Sequence, residues 1–187
     1  TSAFYNFAGY TYKNAVSYYA ADGIAKQPYA VSGDVTLVAQ WSQKYSGTYI
    51  KSESELVAIK NKTSAAYYLV NDVKLASAWS PISELSGSLN GLGHEISGLK
   101  INYNSSNGEV TNFGMFRKLS GTITGVTFSN VNIYVEKHKD GAKDNCVGTV
   151  AGVVAGGTIS NVTINYTYVD NVHYRDVVDS GEYVNSY

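Results

Sequence analysis

Apolar and polar positions alternate along the second half of the chain in a short unit that occurs three times. It reads Ile96-Ser-Gly-Leu-Lys-Ile101, then Ile123-Thr-Gly-Val-Thr-Phe128, then Ile159-Ser-Asn-Val-Thr-Ile164. Each copy runs apolar, hydroxyl, Gly or Asn, apolar, polar, apolar, with a glycine just upstream (Gly93, Gly121, Gly157). The last three positions have period 2, so one face of a short strand is apolar and the other polar. The central Gly or Asn marks a bend that tolerates positive φ. Copies begin 27 residues apart (96 to 123) and then 36 apart (123 to 159). Recurrence at this period predicts stacked copies of one supersecondary unit. On this alignment Ile96, Ile123 and Ile159 lie one above another, as do Leu99, Val126 and Val162.

The rest of the chain fits around that unit. Gly9-Tyr-Thr-Tyr12 and Val35-Thr-Leu-Val-Ala39 read as strands, with turns at Pro28 and Ser32-Gly-Asp34. Residues 42–50 are polar and glycine-containing, the composition of a linker. Ser52 followed by Glu55 is a capping box, and Leu56 and Ile59 then continue a short helix. Tyr67 to Leu75 reads as a strand broken at Asn71-Asp72. Polar segments, Asn102 to Asn112 and Tyr134 to Asn145, read as loops between copies, and the second accounts for the longer spacing. A small amphipathic helix ahead of the first copy serves as a cap for an otherwise open end.

Composition narrows the possibilities. The chain has 187 residues, a net charge of −1, and only 16% charged residues. That balance offers nucleic acid or an anionic membrane no electrostatic attraction. Seventeen tyrosines and eighteen glycines against two prolines favour strands and turns. The single cysteine, Cys146, rules out an internal disulfide or a cysteine-based zinc site, and is read as a small buried hydrophobe. No apolar run is long enough to span a membrane as a helix. The first residues lack the basic and apolar regions of a signal peptide, so the chain is read as a mature protein or an excised, monomeric segment of a longer one.

Two resemblances follow from particular residues. Gly9-Tyr-Thr-Tyr12 and Asp34-Val-Thr-Leu-Val-Ala-Gln-Trp41 resemble the closing half of the internalin-type B repeat, or Listeria–Bacteroides repeat, with Ser17-Tyr-Tyr19 departing from its tryptophan-rich middle. Trp41 is read there as a core plug. Leu69-Val-Asn-Asp-Val-Lys-Leu75, Gly87 to Ile101, Phe113-Gly-Met-Phe116 and Val147-Gly-Thr-Val-Ala-Gly152 resemble the GLUG-motif regions of bacterial surface proteins. That resemblance covers about residues 50–165, with Asn90 and Leu92 standing where the family pattern has Asp and Asn. The fold expected is all-β: a partial B-repeat-like module over 1–41, a linker over 42–50, and over 51–187 a short, irregular, right-handed parallel β-helix-like solenoid with an N-terminal capping helix and a Tyr-rich C-terminal segment.

Chemistry is sparse. The three histidines, His94, His138 and His173, form no HExxH pair, and no serine or cysteine lies in a nucleophile elbow. His94, in the turn Gly93-His-Glu, is read as structural. Asp140 and Asp144 lack EF-hand spacing and have lysines beside them, so no metal and no cofactor is expected. At the C-terminus Asp170, Asp176, Asp179 and Glu182 accompany Tyr168, Tyr174 and Tyr183. Aromatics beside carboxylates can make a sugar-binding surface, which makes these three tyrosines the candidate ligand surface. Both resemblances imply a non-catalytic extracellular module of a bacterial cell-surface or secreted protein, adhesive or spacer in role, with a host or bacterial glycan or surface protein as partner. The alternative is a β-helix carbohydrate-active enzyme, which needs two carboxylates facing one groove, or an accessory domain of a larger hydrolase or protease.

Overall fold

The computed structural model describes residues 3–12, 16–26, 33–105, 112–138, 146–175 and 184–186. Among the described residues the fold is all-β with one short helix, and the chain divides into two compact units, Thr1–Ser46 and Gly47–Tyr187.

In the first unit β1 (Tyr5–Tyr12) is central, with β2 (Val16–Tyr19) and β3 (Val38–Gln43) antiparallel on its two sides. A bulge between Phe7 and Gly9 shifts the β1–β3 register, so Phe7 opposes Trp41 while Gly9 opposes Gln40. Gly9 has φ +111°, and a Cβ there would overlap the Tyr19 carbonyl, so only glycine fits. Trp41 is 51% exposed and packs edge-to-face on Phe7, with 5.4 Å between ring centres. It is therefore not the core plug expected: it sits on a small three-stranded sheet, and among the described residues of that unit Tyr18 is the large side chain that is buried.

The second unit begins with β4 (Thr48–Ile50), so the expected linker over 42–50 is taken up at both ends by strands. Helix α1 (Glu53–Val57) follows, continued by a 3₁₀ turn over Ala58–Asn61. Its cap forms the Ser52 half of the expected box, while Glu55 reaches the residue before the cap rather than Ser52 itself. The Ser52 hydroxyl accepts from the Glu55 N–H at 3.4 Å, and the Glu55 carboxylate accepts from the Lys51 N–H at 2.6 Å. Leu56 and Ile59 are fully buried. Next come β5 (Ala66–Leu69) and β6 (Val73–Lys74), separated at Asn71-Asp72.

Three successive passes of the chain follow. The first holds β7 (Ile82–Leu85), β8 (Ser88–Asn90), β9 (Glu95–Ser97) and β10 (Lys100–Ser105). The second holds β11 (Asn112–Phe113), β12 (Phe116–Leu119), β13 (Thr122–Thr124) and β14 (Thr127–His138). The third holds β15 (Cys146–Val147), β16 (Ala151–Val154), β17 (Thr158–Ser160) and β18 (Thr163–Arg175), and β19 (Val184–Ser186) closes the chain. Corresponding strands pair in parallel from pass to pass: β7-β12-β16, β4-β5-β8-β13-β17, and β6-β9-β14-β18. β10 also pairs with β14, and β19 is the one antiparallel strand of its sheet.

The register corrects the stack read from the hexapeptides. Ile123 pairs with Ile159 but with Leu89, not Ile96, in the first pass. Ile96 pairs instead with Phe128, which pairs with Ile164. The first spacing is thus 34 residues (Leu89 to Ile123) on one sheet and 32 (Ile96 to Phe128) on the next, and the 27-residue spacing joins two different corners. The first two passes each turn twice through positive φ, and the third does so at the first of these corners. One corner holds Leu92-Gly93, Gly125 and Asn161, and the other holds Gly98 and Asn130. The bend predicted at Gly98, Gly125 and Asn161 is present in all three copies.

The apolar residues turned inward form one core that includes Leu69, Leu89, Ile96, Phe116, Ile123, Phe128 and Ile133. A column of glycines lets the passes approach. Gly121 lies so close to the pass before it that a Cβ would overlap the Gly87 carbonyl, and that carbonyl accepts from the Thr122 N–H at 2.9 Å. Gly87 lies in the same way on Ala65. Cys146 is exposed rather than buried, because it begins a two-residue strand whose partner is Asn112.

Candidate functional site

Strands β10, β14 and β18 continue past the second corner, and this continuation carries the candidate site. The segments expected as loops over 102–112 and 134–145 are strand as far as Ser105 and His138. The reason is an unbroken period of 2: Ile101, Ile133 and Val135 point inward and are buried, and Tyr103 packs on Phe113 at 4.7 Å between ring centres. The alternate residues face outward. In register across the sheet they are Lys100, Asn132 and Tyr168, then Asn102, Tyr134 and Asp170, with Asn104 beside Glu136 on the first two strands.

Aromatic and carboxylate groups are joined on this outer face. The Tyr134 hydroxyl donates to Glu136 Oε2 at 2.9 Å, and the same oxygen accepts from Asn104 Nδ2 at 2.7 Å. The Tyr168 hydroxyl donates to Asp170 Oδ2 at 3.0 Å. That bond, with the negative charge behind it, holds the Tyr168 hydroxyl above the usual tyrosine range, so it remains a neutral donor well past neutral pH. Both strands carry a tripeptide of the form Tyr-Val-acid, Tyr134-Val-Glu136 and Tyr168-Val-Asp170, 34 residues apart (134 to 168). The strands pair 36 apart (Tyr134 to Asp170), so the second copy is offset by two positions. The offset puts Asp170 alongside Tyr134 and leaves Tyr168 beside Asn132, so aromatic, amide and carboxylate groups are interleaved. Tyr168 is 56% exposed.

Of the three tyrosines expected to form a ligand surface, Tyr168 stands on this face. Tyr174 lies in β18 opposite Asn185, and Tyr183 lies outside the described residues, as do Asp140, Asp144, Asp176, Asp179 and Glu182. Sequence reasoning gave the segments 102–112 and 134–145, taken as loops, as places where function could lie, but it singled out none of Tyr134, Glu136, Asn102 and Asn104 within them. The signal that finds them is the repeated Tyr-Val-acid tripeptide, together with the inward alternation through Ile133 and Val135.

Other polar groups are engaged in holding the fold. Asp72 Oδ1 accepts from the Glu95 N–H and bonds His94 Nδ1, both at 2.9 Å, joining the Asn71-Asp72 turn to the next pass. The Glu95 N–H, and then His94, hold the Asp72 carboxyl below its ordinary value. The Ser129 hydroxyl donates to Glu95 across the β9–β14 pair. Glu84 accepts from Ser120 at 2.5 Å and lies 3.0 Å from the Lys118 ammonium; these two, Ser120 foremost, lower its pKa. A groove between α1 and the segment before β7 is floored by Trp79 and Ile82 and edged by Glu53 and Lys60. Two of its polar groups hold the fold: the Trp79 indole N–H donates to the Met115 carbonyl at 2.9 Å, and Glu53 accepts from the N–H groups of Ala76 and Ser77. Among the described residues no three His, Cys, Asp or Glu side chains are grouped to hold a metal ion, and no helix is long and apolar enough to cross a membrane.

Comparison with protein-family models, with curated proteins and with solved structures returns no match.

Proposed function

We propose that the chain is a non-catalytic, extracellular module of a bacterial cell-surface or secreted protein, and that the outer face of β10, β14 and β18 binds a glycan. In this reading residues 47–187 are a short right-handed parallel β-helix-like solenoid of the kind that the GLUG resemblance implies, with α1 as its cap. The parallel pairing of each pass with the next supports that reading, and so does the glycine column.

The observation that carries the binding proposal is the interleaving of Tyr134 and Tyr168 with Glu136, Asp170, Asn102 and Asn132 on one sheet face. A tyrosine ring offers the apolar side of a sugar a stacking surface, while amides and carboxylates supply acceptors and donors for hydroxyls. Binding is preferred to hydrolysis because each carboxylate already accepts from a tyrosine two residues before it, and both belong to the same sheet face.

A glycan array probed with the whole chain tests the proposal. Reproducible binding to one sugar class is expected, with Tyr168→Ala and Asp170→Asn each weakening it at least about tenfold, the loss of one good contact. Binding to no glycan, or binding indifferent to both substitutions, would sink it.

A further inference from the structure

The outer face of β10, β14 and β18 carries its charges unevenly. In the rows from Lys100 to Glu136 the charged residues described there are Lys100, Glu136 and Asp170, one positive and two negative, a net of −1. Both carboxylates are tied to a ring: Glu136 Oε2 accepts from the Tyr134 hydroxyl, and Asp170 Oδ2 from that of Tyr168. Asp170 is also the register partner of Tyr134, so Tyr134 has one carboxylate across the strands and another along its own strand.

Spacing decides which charge a bound group would feel. With strands about 4.8 Å apart and outward residues ~6.6 Å apart along each, the Tyr134 backbone lies about 5 Å from Asp170 and ~7 Å from Glu136, but about 8 Å from Lys100. Tyr168 lies ~7 Å from Asp170 and about 10 Å from Lys100 on the same measure. At each ring a carboxylate is therefore nearer than the ammonium, and within the ~8 Å over which physiological salt screens a charge. The ion pairs among the described residues, His94–Asp72 and Lys118–Glu84, lie elsewhere, so Lys100 neutralises neither carboxylate by contact. A carboxylate has about four acceptor positions, and one tyrosine hydroxyl fills one of them, so Asp170 still calls for donors.

We infer that Asp170, with Glu136 beside it, sets the class of sugar that this face takes: one that offers hydroxyl or amino donors and bears no carboxylate, sulfate or phosphate. The inference rests on the reading of this face as a glycan site. An acid group held about 5 Å from Asp170 in a half-wet site is disfavoured on the order of tenfold.

An array on which each uncharged glycan has an acid-bearing counterpart (a terminal sialic acid, a uronic acid in place of a hexose, or a sulfate ester) tests it with the whole chain. At low salt the uncharged member of a bound pair should bind at least about tenfold tighter, and the gap should shrink in about 1 M sodium chloride. Asp170→Asn should weaken the uncharged member and bring the pair to within about threefold, since the repulsion leaves with the charge. Should that variant lose its circular dichroism, Glu136→Gln reads the same narrowing. Acid-bearing glycans bound as tightly as their counterparts or tighter, or a gap that neither salt nor either substitution moves, would overturn the inference while leaving the face a glycan site. Binding to neither member of any pair would overturn the glycan site itself, and the inference with it.

Discussion

Ile123→Asp, compared with Ile159→Asp, tests the register and the core together. The two isoleucines are direct partners in the β13–β17 pair, so chemistry and local backbone are matched, and burial is what differs. Ile123 is fully buried between Leu89 and Ile159. Truncating a buried isoleucine costs about 2–5 kcal/mol. The carboxyl that replaces it has no partner, so it must be protonated to stay inside. A carboxyl whose pKa is raised to about 7 costs a further ~4 kcal/mol at pH 7, at ~1.4 kcal/mol per pH unit above its normal value. The sum, about 6–9 kcal/mol, matches the whole stability of an ordinary domain, so Ile123→Asp should leave the second unit largely unfolded at pH 7. Ile159 is already partly in water, so its carboxylate stays ionised and hydrated, and the expected cost is about 1–2 kcal/mol. Urea titration followed by tryptophan emission reads this directly. Trp79 is buried with its indole N–H bonded and reports the second unit, while Trp41 is exposed and changes little. Because the raised pKa makes the penalty grow with pH, lowering pH from 7 to 5 should return about 1.4 kcal/mol per unit to Ile123→Asp and almost nothing to Ile159→Asp. Equal costs for the two variants, or an Ile123→Asp chain within ~1 kcal/mol of wild type, would refute the assigned core.

Two further outcomes follow from local geometry. Gly121→Ala should cost more than about 2 kcal/mol, because its Cβ would overlap the Gly87 carbonyl; Gly93→Ala, with φ +87° and nothing within 4 Å of its Cβ, should cost only ~1 kcal/mol of backbone strain, and thermal melts that rank them the other way would contradict the close approach of passes. Asp72 is 74% exposed, so Asp72→Asn should remove only about 0.5 kcal/mol at pH 7. Its folded pKa is depressed, so that contribution is fully present above the ordinary carboxylate value and disappears as pH falls through the lower, folded one; a wild-type advantage that grows as pH falls would contradict the assignment.

The alternation of apolar and polar residues made the strands legible, but it did not settle which strand lies on which. Both corners of a pass have the same local requirements: an apolar residue turned in, a hydroxyl or amide, Gly or Asn at positive φ, then an apolar residue turned in again. Ile96-Ser-Gly-Leu-Lys-Ile101 satisfies them at one corner, and Ile123-Thr-Gly-Val-Thr-Phe128 at the other. The true counterpart of the first is Phe128-Ser-Asn-Val-Asn-Ile133, which pairs with it through Phe128, Ser129 and Ile133 and shares its positive φ at Asn130. Phenylalanine for isoleucine and asparagine for glycine hid the match. The capping box at Ser52 and Glu55 was legible because its partners are three residues apart. The exposure of Trp41 and Cys146 was not, because it depends on neighbours brought in from elsewhere in the chain.

The candidate site follows from the same division of labour. Within the three-sheet part, every outward position adjoins a corner or a strand of only two to four residues, too short to hold more than a couple of side chains in line. β14 and β18 have 12 and 13 residues, and past Asn130 they run together with β10 as one sheet. At about 3.3 Å per residue, that continuation gives successive outward residues a fixed spacing of ~6.6 Å along each strand and about 4.8 Å between strands. A polar lattice at that spacing is comparable in scale to a sugar ring. The inward residues, Ile101, Ile133 and Val135, can vary among apolar types without disturbing the outward set, and the two-position offset between Tyr134-Val-Glu136 and Tyr168-Val-Asp170 changes which groups are neighbours without changing the core. Because the core is set by the inward residues and the glycines at close approach, the outward residues can vary without disturbing it.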